Sequence, residues 1–267
     1  MCYNILKNRF DIMNLLEKII AFLQFKMSEP SLYGWFHLLS LIIMIGIIIF
    51  FTIKKFNVKK VLLIMSLIMI GFEIYKQLSF SYNDGVWYYQ WYAFPFQFCS
   101  TPMYVALIAA LTKNKKLEYA LYSFLATYGL VGGIAVMLYP NTVYVSESLI
   151  NIQTMIHHGF MVIMGMYLLI SNIIKLNLKT ILSALKVFIV LVMIALAIDI
   201  CTYYLNIDNG LEMFFISPFH TSSLPVFSII YEKVPYLLFL LIYILSFTFG
   251  SNIPLFIKKI VLTLKSK

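Results

Sequence analysis

Cys99, the pair His157-His158, Asp199 and Glu73 are the residues of this 267-residue chain whose types allow chemistry, and each lies inside a strongly apolar stretch. A thiol buried in apolar surroundings is inert. An imidazole within reach changes this, because it takes the thiol proton and leaves a thiolate that attacks acyl groups. Asp199 is then the residue expected to orient the imidazole, in the manner of a catalytic triad. By type alone the histidines and carboxylates also suit zinc. Adjacent histidines diverge on a helix, however, and no His-x-x-x-His or Glu-x-x-His pair occurs, so no metal site and no cofactor is expected. The non-catalytic reading is a set of interhelical hydrogen bonds that hold the protein together.

The elements that position these residues follow from composition. The chain is 62% hydrophobic and only 12% charged, against about 25% charged residues in soluble domains. Seven stretches, 33–53, 61–80, 91–112, 118–138, 152–172, 183–205 and 233–256, approach the roughly 20 residues that a membrane-spanning helix needs. The expected fold is all-α: a polytopic membrane protein with one seven-helix transmembrane domain over 33–256. Residues 1–32 read as an interfacial amphipathic helix, with Leu15, Leu16, Ile19, Ile20, Phe22 and Leu23 on one face and Asn14, Glu17, Lys18 and Gln24 on the other. No small-residue cleavage site marks a signal peptide. Residues 257–267 form a basic tail, and the three cysteines do not form a disulfide framework.

Lysines set the orientation. Fourteen of the 20 basic residues fall between spans 1 and 2, 3 and 4, 5 and 6, or after 7, while the alternate loops carry Asp84, Glu147, Asp208, Glu212 and Glu232. The positive-inside rule therefore places the N-terminus outside and the C-terminus inside. The net charge of +9 reads as orientation and contact with anionic lipid, which makes membrane lipids the expected partners and nucleic acid not one. The abundance of Lys, Ile, Asn, Tyr and Phe suggests a bacterial source, hence the bacterial plasma membrane. The sequence leaves the oligomeric state open.

With that topology, Cys99 lies about 12 Å into span 3, His158 about 9 Å into span 5, and Glu73 and Asp199 about 10 Å from the outer ends of spans 2 and 6, at about 1.5 Å per residue. These polar groups form one layer in the outer half of the bilayer. Such a layer marks a functional pocket by default. On span 5, Asn151, Thr154 and His158 share one face, while Gln153 and His157 share another about 100° away. The two histidines are therefore expected to point at different partners. Glu73 and Lys76 form an i, i+3 pair whose first reading is structural.

The run Phe94-Pro95-Phe96-Gln97-Phe98-Cys99-Ser100 resembles the Leu-Cys-Ser or Phe-Cys-Ser motif of the YwaF-like family of integral membrane proteins, related to the eukaryotic transmembrane protein 164 acyltransferase. Tyr128-Gly129-Leu130-Val131-Gly132-Gly133 with Pro140, then Met155-Ile156-His157-His158-Gly159, then the segment from Asn209 through Ser217-Pro218 to Pro235-Tyr236 match in order. The resemblance implies that Cys99 accepts the acyl group and that His158, preceding Gly159, is its partner. It departs at His157, where a small polar residue is expected, and at Leu211-Glu212-Met213, where Asn-Tyr-Met is expected. The activity it implies is transfer of fatty acyl chains onto lysophospholipid.

The combined expectation is a membrane-embedded acyltransferase with catalytic Cys99, His158 and Asp199. Gln97, Ser100, Asn151, Thr154, His157 and Glu73 are the expected substrate-binding residues, with Gln97, Ser100 and Asn151 as oxyanion donors. Breaks near Pro95 and Pro102 are a second source of such donors. The competing function is a small-molecule transporter or substrate-binding membrane subunit that uses the same polar layer for a solute. No inverted repeat supports it.

Overall fold

The computed structural model describes residues 2–175, 177–208 and 210–265, with side chains over 13–175, 177–208 and 210–257. The described residues are mostly helical. The helices are α1 (Cys2–Leu23), α2 (Trp35–Ile53), α3 (Val58–Ser81), α4 (Thr101–Leu111), α5 (Lys115–Phe124), α6 (Leu130–Leu138), α7 (Ser148–Ile170), α8 (Leu178–Tyr204), α9 (Pro225–Lys233) and α10 (Tyr236–Lys265). Between α3 and α4 a two-residue turn, Asp84-Gly85, joins β1 (Tyr82–Asn83) to β2 (Val86–Trp87) as an antiparallel hairpin. Both turn residues have positive φ, 48° and 85°, as this tight hairpin turn demands.

Among the described residues five helices are long and apolar enough to cross a membrane: 35–53, 115–138, 148–170, 178–204 and 236–257. The stretch expected at 61–80 is helical, within the 24-residue α3, but Glu73, Lys76, Gln77 and three serines make that helix more polar and it is not among the five. The span expected at 91–112 is not one helix. A single turn at Trp91–Ala93 leads into irregular chain, and α4 covers only 11 residues. Proline explains the break. Pro95 has no N–H and disfavours helix at Phe94, whereas Pro102 sits in the first turn of α4, where its missing N–H costs nothing. Cys99 therefore lies ahead of a helix and not within one, so its depth cannot be counted by helical rise.

One end of the bundle gathers the lysine-bearing turns. Asn57, Asn114 and Asn177 cap α3, α5 and α8 by accepting N–H bonds from Lys60, Lys116 and Thr180 at 3.2, 3.0 and 2.8 Å, which satisfies donors that the helix leaves free. Lys59 reaches Glu118 at 2.7 Å, and Lys179 lies 4.9 Å from the Tyr119 ring centre. Lys258, Lys259, Lys265 and Lys267 of the basic tail lie outside the residues with described side chains.

At the other end, α1 is pinned by its polar residues. Glu17 accepts from Trp87 Nε1 at 3.1 Å, and Gln24 Nε2 donates to the Ser79 and Tyr82 carbonyls at 2.7 and 2.8 Å. Leu15, Ile19 and Phe22 stay exposed, Leu16 and Leu23 are half-buried and Ile20 is buried, so half of the apolar face expected from the sequence is turned outward.

The core is built around α7, buried along nearly its whole length. It crosses α6 so closely that a Cβ at Gly133 would lie 2.9 Å from the His158 carbonyl oxygen, and one at Gly165 2.7 Å from Leu130 Cβ. Only glycine allows two backbones to approach this far. A π-helical turn, Leu125–Gly129, joins α5 to α6 into a single crossing.

The segment after α8 folds back into the bundle. Phe214 and Phe215 adopt φ of 56° and 61°, a conformation costly for bulky residues. Phe214 is fully buried against Phe96 and Phe98, and Tyr243 Oη donates to its carbonyl at 2.8 Å.

Candidate functional site

The break before α4 leaves backbone carbonyls that hydrocarbon cannot hydrate, and side chains meet them. Tyr104 Oη donates to the Pro95 carbonyl at 3.0 Å. His157 Nε2 meets the Cys99 carbonyl at 2.9 Å. A carbonyl only accepts, so this nitrogen carries the proton and Nδ1 keeps a free lone pair. One turn of α7 fixes His158 the opposite way: Nδ1 donates to the Thr154 carbonyl at 2.8 Å, leaving Nε2 as the lone-pair nitrogen. The two rings lie 5.5 Å apart, tilted by 59°.

Both histidines line one cavity of about 250 Å³, together with Cys99, Ser100, Glu73, Lys76, Gln153 and Thr154, and with Phe80, Tyr92, Thr142, Val143, Val145 and Ile150. As expected, the two histidines have different hydrogen-bond partners, yet both face this cavity. Side chains 100° apart on α7 flank the same space, each offering a different ring nitrogen. Three buried atoms of the lining have no hydrogen-bond partner: Glu73 Oε2, His157 Nδ1 and His158 Nε2. Such orphans are rare in folded proteins and call for an explanation. Glu73 Oε1 is occupied, at 2.7 Å from Lys76 Nζ and 2.8 Å from Gln77 Nε2.

Of the residues expected at the site, Cys99, Ser100, Thr154, His157, His158 and Glu73 come together. Three do not. Asp199 is buried on α8, where Oδ1 accepts the Met213 N–H at 2.7 Å. It lines no part of the cavity, and the second nitrogen of each imidazole is held by a backbone carbonyl and not by a carboxylate. Gln97 bridges the same folded-back segment, donating to the Glu212 carbonyl at 3.0 Å and accepting from Phe214 N at 3.3 Å. Asn151 closes on the Val145 backbone in both directions, at 3.0 and 2.7 Å. All three stabilise irregular backbone.

His37 is fully satisfied. Its Nδ1 accepts from Tyr33 N at 3.0 Å and its Nε2 donates to the Met137 carbonyl at 2.8 Å, which staples α2 to α6. Lys76, expected as a structural partner of Glu73, and Gln153, expected only to share a face with His157, also line the cavity. Their spacing, i+3 from Glu73 and i−4 from His157, carried the signal. Among the described residues no group of three or more His, Cys, Asp or Glu side chains is arranged to hold a metal ion.

Outside the spans, burial pushes the Glu212 carboxyl above the ordinary glutamate range, opposed by its hydrogen bonds to Ser223.

The family model described as the TMEM164 family matches residues 30–251, which takes in α2 to most of α10 and every residue of the cavity. No curated protein and no solved structure matches the chain.

Proposed function

The chain belongs to the TMEM164 family of multi-pass membrane proteins, and from that premise we propose that it transfers acyl chains between membrane lipids through a thioester on Cys99. The observation that carries this reading is the pairing, around one cavity, of a thiol with an imidazole whose lone-pair nitrogen has no other partner. The fatty-acyl activity implied by the resemblance supports the same chemistry.

His158 is the general base. Its Nδ1–H is anchored to Thr154, so Nε2 takes the Cys99 Sγ proton while the thiolate attacks the acyl carbonyl. The tetrahedral intermediate collapses, the carbon–oxygen bond to the donor breaks, and the departing alkoxide takes the proton back from His158 Nε2. Water or an acceptor alcohol then repeats the sequence against the thioester and regenerates the thiol. Cys99 lies just before Ser100, the N-cap of the 11-residue α4. The positive end of that helix favours both the thiolate and the oxyanion.

His157 has a different part. By holding the Cys99 carbonyl it fixes the irregular segment that bears the thiol. The lysine-rich end faces the cytoplasm and the cavity lies in the outer half of a bacterial plasma membrane, as the charge distribution supports.

An activated fatty-acyl probe tests the proposal. Wild-type protein forms a hydroxylamine-labile adduct, Cys99→Ala forms none, and His158→Ala forms it at least about a hundredfold more slowly. An adduct that persists in Cys99→Ala removes the nucleophile and with it the reading.

A further inference from the structure

Helices α2 and α7 are fastened at both ends and part between them. Towards the lysine-bearing turns, Tyr167 Oη of α7 bonds both backbone groups of Phe56, at 2.9 and 2.7 Å, and its ring lies 5.5 Å from that of Phe51. Towards the other end, His37 holds the Met137 carbonyl, and Phe36 packs edge-on against Tyr144, which donates to Met155 Sδ of α7 at 3.5 Å. Between these fixed points lies a slot of about 420 Å³, walled by Leu39, Ile43 and Met44 on one side and Ile156, Gly159 and Phe160 on the other. Gly159 leaves room in it: a Cβ there would meet only Met44 Cγ, at 4.0 Å.

The walls and the size of the slot decide what fills it. Both walls are helices long and apolar enough to cross a membrane, so the slot opens to hydrocarbon. The Ser40 hydroxyl already donates to the Phe36 carbonyl at 2.8 Å, which leaves the middle of the slot apolar. The slot runs from Trp35 to Ile47 on α2, about 18 Å at about 1.5 Å per residue. That is close to the depth of about 15 Å that the chains of one leaflet fill. A helix of that length, about 10 Å across, occupies roughly 1,400 Å³, so a helix from a second copy of the chain does not enter a space this small. Trp35, 73% exposed, stands at the end away from the lysines, where aromatic side chains meet the headgroup layer.

We propose that this slot is a lipid-binding site that holds one acyl chain of a bilayer phospholipid, with the headgroup beside Trp35 and the chain running towards Tyr167. The site is separate from the thiol cavity and does not depend on the reading of Cys99. At about 100° per residue, Ile156, Gly159 and Phe160 face the slot, while His157 and His158 between them face the cavity. The bound chain thus packs the far side of the turn that carries both histidines.

Photolabelling of the full chain in dodecyl maltoside micelles tests the proposal. The probe is a phosphatidylcholine with a diazirine midway along one acyl chain, titrated into the micelles. Peptide mapping compares the slot with Val190 and Met193, which are as exposed as Ile43 but lie on an apolar face formed by α8 alone. At low probe, labelling of Ile43, Met44 and Phe160 is at least about tenfold stronger than on α8, and it saturates at one probe per chain while labelling on α8 keeps rising. Gly159→Leu, which fills the slot, abolishes the excess. Ile43→Phe, on an exposed part of the wall, does the same should Gly159→Leu fail to fold. Labelling of the slot no stronger than on α8, or an excess that both variants leave intact, overturns the proposal. An unlabelled slot in a chain that light scattering shows to be dimeric assigns the space to a second copy, and also overturns it.

Discussion

His157 Nε2 donates to the Cys99 carbonyl at 2.9 Å across 58 residues of sequence. This bond ties the central helix to the irregular segment before α4, and it makes the two neighbouring histidines differ in kind. His157 holds the backbone of the thiol segment, while His158 offers a free Nε2 to the space that the thiol lines.

Replacing His157 with Ala leaves the half-buried Cys99 carbonyl unmet and costs about 1 kcal/mol of stability. His157→Gln, which keeps a donor, recovers part of that loss. The expected signature is a drop in thermal midpoint together with a slower acylation rate whose pH profile matches wild type. His158→Ala shows the reverse: a nearly unchanged midpoint and almost no acylation.

Asp199→Ala releases the Met213 N–H and is expected to cost about 1–3 kcal/mol. Limited proteolysis should then cut within 206–224 faster than in wild type, while acylation of Cys99 stays within a few-fold. Loss of acylation as complete as in His158→Ala would restore the orienting role that sequence alone assigned to Asp199.

Gly133→Ala places a methyl 2.8 Å from Met161 Cβ and 2.9 Å from the His158 carbonyl oxygen. Overpacking of this kind costs about 1–3 kcal/mol, and here it displaces the turn that carries both histidines. Stability and acylation should fall together. Gly46→Ala, with nothing within 4 Å, should leave both unchanged.

The folded-back segment should be more stable at acid pH. Burial raises the Glu212 carboxyl in the folded protein, so the folded state binds its proton more tightly than the unfolded state does. The resulting stability is fully present below the unfolded glutamate value and is lost as pH rises through the folded one. Hydrogen exchange over 211–223 should therefore quicken from about pH 4 upward, and Glu212→Gln should flatten the trend.

Much of this was legible in the sequence. The apolar runs at 33–53, 118–138, 152–172, 183–205 and 233–256 correspond to helices, and the run at 61–80 corresponds to α3. Cys99, His157, His158 and Glu73 do share a cavity. The break at 94–100 was harder to read because Phe94, Phe96 and Phe98 keep the segment as apolar as a helix, and only Pro95 and Pro102 mark it. Asp199 looked like a partner for histidine because its true partner, the N–H of Met213, is a backbone group that no residue type announces. Gln97 and Asn151 likewise bond backbone groups, which a search for side-chain chemistry overlooks.

The irregular stretch bearing Cys99 also determines when the site can exist. It has no helix of its own to order it, and its fixed points are distant: His157 is 58 residues downstream, and Glu212 and Phe214, which grip Gln97, are 115 and 117 residues downstream. Contacts this long-range form late. A chain emerging N-terminus first therefore carries its thiol through insertion in an unassembled segment, and the proposed acyl-bearing site is complete only after the segment following α8 has folded back.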